Sequence, residues 1–512
     1  MPEISYFLII IVFLWLFRQI RAVLFWLYLW QLKEYHVGRF LDHFRTYKGK
    51  TLFLNLLFIL KIALLSYALI LYFYPEFLAW YFYAGWIFIL AALYLLESVR
   101  FLMDIVRKTA KKPVLTKKTL AFVFVNLISV ILFAGILLDK TNFFYWYCFG
   151  ILSFDVLLPL WVSFIVLLFQ PFTVLWRNKI IKKAKRKREK FKNLLVVGIT
   201  GSYGKTSTKE LLAAILSEKF RVLKTREHQN SEIGIAQCIL QDLKPGHEIF
   251  VCEMGAYNLG KIREVCSFVK PGIGILTGIN EQHMATFGSQ ENIVRAKYEL
   301  MESLPENGLA FFNAKNKYCR TLYEKTKIRK FLYGENATFP GEENLLGARL
   351  VAGELGMSQK EILGATAKMR SKFGGIETKK GIMGLNVIDA TYSANPDGVM
   401  AHLEYLKNIF TGRKIIILPC LIELGRASKE VHERIGRKIA ETCDLAIITT
   451  RDRFREIKQG ASGAALDRRT EVLFMDRPKQ ILEKIKSFCR QGDFVLLESR
   501  VPEGIMKQLL RQ

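Results

Sequence analysis

No two of the eight cysteines stand at the spacing of a CxxC pair. A scattered set offers neither a disulfide framework nor a zinc site, and it fits a reduced cytoplasmic compartment. Also missing is any base-stacking or groove-reading module to accompany the formal net charge of +28. The excess of Lys and Arg therefore does not point to nucleic acid. No basic n-region precedes the first apolar run and no small-residue cleavage site follows it, so a cleavable signal peptide is not expected. At 512 residues the chain is too long for one ordinary core, and two or three domains are expected.

Apolar residues are abundant, 51% of the chain, and they crowd the first 176 positions. A membrane-spanning helix takes about 20 largely apolar residues. Five stretches qualify: Ile4 to Trp30, Leu52 to Tyr74, Phe77 to Leu96, Leu120 to Leu138 and Phe143 to Trp176. Arg18 and Arg21 interrupt the first, so its cytoplasmic half can lie along the interface; the last is long enough to be tilted or broken. Segments 31–50 and 100–118 and the run Arg177 to Lys192 are rich in Lys and Arg, whereas the connections around Pro75 and at 139–142 are not. Five crossings, with the N-terminus outside and the C-terminal two-thirds in the cytoplasm, satisfy every loop. The expectation is a multi-pass protein of the cell (inner) membrane. Residues 1–176 form its transmembrane helical region, and 177–192 a basic juxtamembrane linker drawn to anionic membrane lipid. Lys61 and Asp155 fall near the middle of their spans, where an unpaired charge is expensive. Their similar depth suggests that they pair with each other or face the bundle interior.

The most informative stretch lies beyond this region. After the apolar run Leu194 to Val197 comes Gly198-Ile-Thr-Gly201-Ser-Tyr-Gly204-Lys205-Thr206-Ser207, and after it a helical pattern from Thr208 to Glu218. A glycine-rich turn between strand and helix aims backbone N–H groups into one cavity, where the helix dipole adds positive charge. Gly201, Ser202, Tyr203, Gly204, Lys205, Thr206 and Ser207 thus make a candidate phosphate cradle. Lys205 would reach the outer phosphates of ATP and the Thr206 hydroxyl a magnesium ion. Further strand candidates at 249–253, 273–277 and 310–313 alternate with helical patterns at 233–240, 292–303 and 345–354. A second series of strands follows at 385–389, 414–418, 445–449, 472–475 and 494–498. The alternation predicts two α/β domains, 193–374 and 375–512, hinged near Lys372 to Gly375, with ligands at the carboxyl ends of parallel strands. Glu253 ends one strand, His283 follows another within Asn280 to Ser289, and Lys297 lies on a helix. Singly, these three read as a cap partner, a loop histidine and a solvated charge; following a phosphate loop, they are candidates for a site.

In order and context these motifs resemble the Mur ligase family, ATP-dependent amide-bond ligases of peptidoglycan precursor synthesis. The resemblance runs from Asn193 to the C-terminus. It is carried by GITGSYGKTST (198–208), NSEIG (230–234), EMGA (253–256), HMATFGS (283–289), RAK (295–297), FNA (312–314), YSANPD (392–397) and IELG (422–425) with His432. It implies a P-loop central domain and a Rossmann-like C-terminal domain, here following an α-helical transmembrane bundle. It further implies that Thr206 and Glu253 bind one magnesium ion, that His283 helps bind a second, and that Lys297 is carbamylated into a ligand for that second ion. Asn313 would meet adenine. The implied reaction joins an amine donor, D-alanyl-D-alanine or a related amino acid or dipeptide, to a muramyl-peptide carboxylate through an acyl phosphate.

The sequence departs from the family in several places. The family's first domain, which holds the UDP-sugar, is replaced by the helical region, which raises a lipid-linked cell-wall precursor as the acceptor. The family's Gly-Arg-Leu-Glu reads Gly374-Gly375-Ile376-Glu377, so an arginine near the phosphates is missing, with Arg370 the nearest substitute. Lys-Gly-Ser-Arg reads Leu497-Glu498-Ser499-Arg500, Asp-Asp reads Asp389-Ala390, and Gly-Asp-Met reads Pro419-Cys420-Leu421. Two alternatives stay open: another ATP-dependent ligase acting on a lipid-linked precursor, and a non-catalytic nucleotide-binding membrane scaffold for cell-wall enzymes. The missing arginine favours the scaffold; the intact Lys205, Glu253, His283 and Lys297 oppose it.

Overall fold

A computed structural model describes residues 2–73, 80–140, 144–227, 229–373, 378–391, 395–409, 412–463, 470–502 and 504–510. The chain divides into two compact units, residues 1–175 and 176–512. The first is helical: α1 (Pro2–Leu32), α2 (Val37–His43), α3 (Tyr47–Lys50), α4 (Leu56–Phe73), α5 (Trp80–Val106), α6 (Lys117–Lys140) and α7 (Phe144–Leu168). The division between units falls within α8 (Gln170–Glu189). Among the described residues, five helical stretches are long and apolar enough to cross a membrane: Phe7–Leu32, Leu56–Phe73, Phe82–Val106, Lys117–Leu138 and Tyr145–Glu189.

Two expectations about the spans are corrected. Arg18 and Arg21 do not interrupt the first span: α1 is unbroken, because both arginines are paired across to α5, Arg18 with Glu97 at 3.1 Å and Arg21 with Asp104 at 2.7 Å. The same pairs explain why α5 runs on to Val106 instead of stopping near Leu96. The long last stretch is broken, as its length allowed: two helices part at Phe169. The central charges are paired: Lys61 Nζ stands 2.8 Å from Asp155 Oδ2 and 2.6 Å from Glu97 Oε2. Arg18 also contacts Asp155, and Gln19 Nε2 donates to it at 3.1 Å. Two cations thus meet two carboxylates within one packed core that includes Trp15, Trp86, Leu90 and Leu152.

In the second unit, the α8 face carrying Arg177, Ile180, Ala184 and Arg188 packs inward. Ala184 is fully buried, and the Arg188 guanidinium donates to the carbonyls of Val269, Phe191 and Leu194 at 3.1, 2.7 and 2.9 Å. Lys179, Lys182, Lys183 and Arg186 lie on the exposed side. Then come β1 (Leu195–Thr200), α9 (Lys205–Leu216), β2 (Val222–Lys224), α10 (Glu232–Asp242), β3 (Ile249–Glu253), α11 (Lys261–Val269) and β4 (Ile273–Leu276). They are followed by α12 (Met284–Phe287), α13 (Gln290–Glu302), β5 (Leu309–Asn313), α14 (Lys317–Lys325), β6 (Arg329–Tyr333), α15 (Glu342–Glu354) and α16 (Gln359–Phe373). The strands form one parallel sheet in the order β2-β3-β1-β4-β5-β6. Each strand alternates between two apolar cores: Val196 and Phe250 join one, Val197 and Val251 the other. Burial on both faces explains why these strands read as continuous apolar runs.

A second sheet has the order β11-β10-β9-β12-β8-β7, built from β7 (Thr378–Lys380), β8 (Asn386–Ala390), β9 (Lys414–Leu418), β10 (Leu445–Ile448), β11 (Glu471–Phe474) and β12 (Phe494–Glu498). Only its edge strand β7 is antiparallel. Helices α17 (Pro396–Lys407), α18 (Ser428–Thr442), α19 (Phe454–Ser462), α20 (Pro478–Phe488) and α21 (Ile505–Leu509) cover it. The α/β class read from the sequence therefore holds in two sheets. Gly374 to Glu377 and Tyr392 to Ala394 lie outside the described residues, as does the side chain of Arg370.

Candidate active site

The carboxyl ends of β1, β3, β4 and β5 place the candidate residues. Between β1 and α9 the chain turns through Gly201 (φ +154°) and Gly204 (φ +76°), and a Cβ on Gly201 would collide with the Thr277 hydroxyl. Only glycine takes both the conformation and the space there. Helix α9 begins at Lys205, three residues before the expected start, so Lys205, Thr206 and Ser207 form its first turn and their N–H groups belong to the helix N-terminus. Ser202 N donates to Gly278 O at 2.7 Å, and the Thr277 hydroxyl donates to Tyr203 O, which pins the loop against the end of β4. Lys205 Nζ donates to Gly201 O at 2.8 Å and Ser202 O at 3.2 Å.

Glu253 ends β3 directly opposite this turn. Its Oε1 accepts from Thr206 Oγ1 at 3.1 Å and Asn230 Nδ2 at 3.0 Å, while Oε2 lies 3.4 Å from Lys209 Nζ. Lys209 is fully buried. The sequence reading missed it, although its position one helical turn after Lys205 was the available signal.

His283 and Lys297 complete the cluster. His283 adopts a left-handed conformation (φ +66°) before α12, and Tyr257 packs edge-on against its ring at 4.8 Å. Its Nδ1 lies 2.6 Å from Glu423 Oε2, a residue of the second sheet's domain that is itself left-handed (φ +65°). Ala285 N donates to Glu423 O at 3.1 Å, and Gly425 sits so close that a Cβ would touch Ala285 N at 3.0 Å. Asn280 Nδ2 donates to Asn395 Oδ1 at 3.2 Å, and Arg434 stands 3.3 Å from Glu281. The IELG loop is therefore seated on the His283 loop. His432 supports that loop: Leu421 N donates to its Nε2 at 2.9 Å and its Nδ1 faces Ser428 O at 2.5 Å, so the ring is neutral with the proton on Nδ1.

Electrostatics couple these residues. Lys297 on α13 is 2% exposed; burial, reinforced by the nearby charge of Lys205, brings its pKa down to about 7. Burial likewise lowers His283, with Glu423 opposing and Lys297 and Lys205 adding to the shift. Burial lowers Lys205, with Glu253 opposing. Asn313 is buried at the end of β5, its Nδ2 donating to Thr277 O at 2.8 Å and its Oδ1 accepting from Lys315 N at 3.0 Å. A base would meet its remaining amide hydrogen and the second lone pair of Oδ1.

The Mur ligase middle domain matches residues 199–375, and the Mur ligase glutamate ligase domain matches residues 376–500. The chain belongs to the Mur ligase family. Among its relatives, the UDP-N-acetylmuramoyl-tripeptide–D-alanyl-D-alanine ligase of Synechocystis sp. is 28% identical over 356 residues, 64% of this chain and 76% of the relative. The enzyme of the same name from Bacillus subtilis is 27% identical over 334 residues, 59% of this chain and 72% of the relative. The MurF ligase of Thermotoga maritima in complex with ADP superposes with a TM-score of 0.54 at 25% identity, covering 65% of this chain and 82% of that one. A MurF structure from Acinetobacter baumannii gives a TM-score of 0.55 at 23% identity over 65% of this chain and 79% of that one, a likeness of fold.

As a Mur ligase, the chain has donors that fit a magnesium nucleotide. The Thr206 hydroxyl and the Glu253 carboxylate converge beside the phosphate turn, both oxygen donors of the kind magnesium takes. Among the described residues no three His, Cys, Asp or Glu side chains gather into a ready-made metal centre. Of the residues expected to hold a second ion, Lys297 would repel it while protonated. A carbamate on Lys297 removes that conflict by replacing the cation with an anionic pair of oxygens.

Proposed function

We propose that this Mur ligase activates a carboxylate with ATP and joins it to an amine, acting as a membrane-anchored enzyme on a cell-wall precursor. The observation carrying the reading is the contact of Thr206 with Glu253 beside the Lys205 turn, with the buried His283 and Lys297 near enough to feel the charge of Lys205. The donor is D-alanyl-D-alanine or a related amine, as the names of the relatives suggest. The acceptor is a muramyl-peptide carboxylate, carried by UDP or by a lipid.

In the proposed organisation residues 1–176 are the transmembrane region with the ligase domains on the cytoplasmic side, 177–192 the basic linker, 193–374 the ATP-binding domain and 375–512 the C-terminal domain. The turn from Gly201 to Ser207 and Lys205 hold the phosphates, and Asn313 lies toward the base. Thr206 and Glu253 would hold one magnesium ion, and His283 with carbamylated Lys297 a second; bound there, they would supply positive charge where carboxylate meets triphosphate. The carboxylate oxygen attacks the γ-phosphorus and ADP leaves, giving an acyl phosphate. The amine then attacks the acyl carbon, phosphate departs with that oxygen, and one proton is released. The IELG loop, seated through Glu423 on His283, keeps water from the activated acid. Glu423 also fixes the histidine ring, leaving Nε2 toward the pocket.

The helical unit, standing where the family's UDP-sugar domain would be, supports a lipid-linked acceptor. The test is ligation with UDP-linked and polyprenyl-linked acceptors side by side, read by product mass. Preference for the polyprenyl form supports the reading, and exclusive use of the soluble form rejects it.

A further inference from the structure

The seam between α1 and α5 carries charge in register. Arg18, Arg21 and Phe25 recur at three- and four-residue steps on α1, and Glu97, Phe101 and Asp104 do so on α5, so each set shares a helix face. The inner pair, Arg18–Glu97, is closed into the network with Lys61 and Asp155. The outer pair, Arg21–Asp104, is not: its side chains are 39% and 35% exposed. They border a cleft of about 290 Å³ whose other walls include Phe25, Phe101, Thr109 and Lys111.

Three features say what the cleft would take. First, its mouth is rigid. Gln31 donates to Val114 O at 3.0 Å and accepts from Val114 N at 2.6 Å, and Ala110 N donates to Asp104 O at 3.1 Å, so the segment bearing Lys111 is held beside the helices. Second, its charge is positive. Arg107, Lys108, Lys111 and Lys112 follow Asp104 within eight residues, with no acid among them. The planar guanidinium of Arg21 has enough donors to serve Asp104 and a second anion together. Third, the same helix carries an exposed apolar surface, with Ile105 at the flank of the cleft-facing stripe and Leu102 and Val106 further round: they are 46%, 54% and 75% exposed. The volume is that of roughly ten waters, room for a phosphate or diphosphate group but not for a muramyl peptide.

We propose that this cleft binds the phosphate headgroup of a membrane lipid, with Arg21 and Lys111 as its cationic contacts and the exposed surface of α5 alongside the tail. It rests on the reading of residues 1–176 as a membrane region and is independent of which acceptor is ligated. The phosphate-bearing lipid is either a polyprenyl carrier or an ordinary anionic phospholipid.

The experiment incubates the full-length protein in detergent micelles with polyprenyl phosphate, with phosphatidylglycerol or with inorganic diphosphate, and reads bound mass by native mass spectrometry. The wild type is expected to retain one phosphate lipid. Lys111→Glu and Arg21→Gln should weaken retention by roughly tenfold, as loss of a cation at a membrane surface implies. Lys48→Glu, which reverses an exposed charge elsewhere in the unit, should retain the lipid as wild type does. Stronger retention of polyprenyl phosphate identifies a carrier, and stronger retention of phosphatidylglycerol an ordinary phospholipid; either supports the site. Equal retention by wild type, Lys111→Glu and Arg21→Gln overturns it, as does binding of inorganic diphosphate with no lipid retained. Thermal unfolding is measured in parallel, and if Arg21→Gln unfolds because Asp104 has lost its partner, Lys111→Glu alone decides. Ligation of a soluble UDP-linked acceptor, assayed separately, bears on the acceptor and leaves the headgroup result untouched.

Discussion

Replacing Lys297 with Met should stabilise the ligase at low pH while abolishing its chemistry. Burial, and then the charge of Lys205, lower the Lys297 pKa from 10.5 to about 7. At about 1.4 kcal/mol per unit, holding the protonated amine in that pocket costs roughly 4–5 kcal/mol. Below pH 7 the lysine is charged in both folded and unfolded chains, so the folded state bears the full cost. Between about 7 and 10.5 the unfolded chain binds the extra proton, and wild-type stability rises with pH. Above 10.5 both forms are neutral and the cost has gone. Lys297→Met never bears it, so the variant should exceed wild type by several kcal/mol at pH 6 and by progressively less toward pH 10. Hydrogen exchange of β1 and β4 reads this locally, because both strands pack against α13. The same neutral amine can capture carbon dioxide. Added ¹³C-bicarbonate at pH 8 should therefore give a carbamate signal and extra protection in wild type, with neither in the variant. A variant less stable than wild type at pH 6, or an equal pH slope in the two proteins, would refute the reasoning.

Gly201→Ala should lower affinity for the magnesium nucleotide at least tenfold, measured by calorimetry, because the new methyl meets the Thr277 hydroxyl and φ is left-handed. Glu423→Gln removes the charged partner of His283. A charged hydrogen bond is worth about 1.5–3 kcal/mol, so kcat should fall roughly 10- to 100-fold while KM for ATP changes little. Lys61→Met leaves Glu97 and Asp155 sharing Arg18, which should destabilise the helical unit by about 3–5 kcal/mol. Tryptophan fluorescence in detergent reads that unit, since seven of the eight tryptophans lie within residues 1–175 and the eighth, Trp176, opens the second unit.

The legible parts of the chain were those whose physics is local. A phosphate turn needs its glycines, its Lys and its Thr within ten residues, so it shows in sequence as it does in space. Strands β1, β3, β4, β9, β10 and β12 are buried on both faces and read as unbroken apolar runs. The strands passed over, β2, β6 and β7, are all edge strands. An edge can carry charge toward solvent, as Arg329 and Lys380 do, and the apolar signal is diluted accordingly. Lys209 resembles any solvated helix lysine until Glu253, 44 positions later, is brought to it. The Glu423–His283 contact spans 140 residues and two sheets, beyond the reach of any spacing rule. In the helical unit, span lengths were misjudged where charges occur, because Glu97 and Asp104 mark a helix end only while their partners on α1 are unknown.

The claim that a carboxylate is activated by phosphoryl transfer can be tested by following one oxygen atom. A muramyl-peptide acceptor labelled with ¹⁸O in the reacting carboxylate is supplied with ATP, magnesium and D-alanyl-D-alanine, and both product and released phosphate are weighed. The account predicts an amide product together with one ¹⁸O in each phosphate released, and neither from Lys205→Ala. Phosphate free of label, or released at the same rate without acceptor and amine, would contradict it.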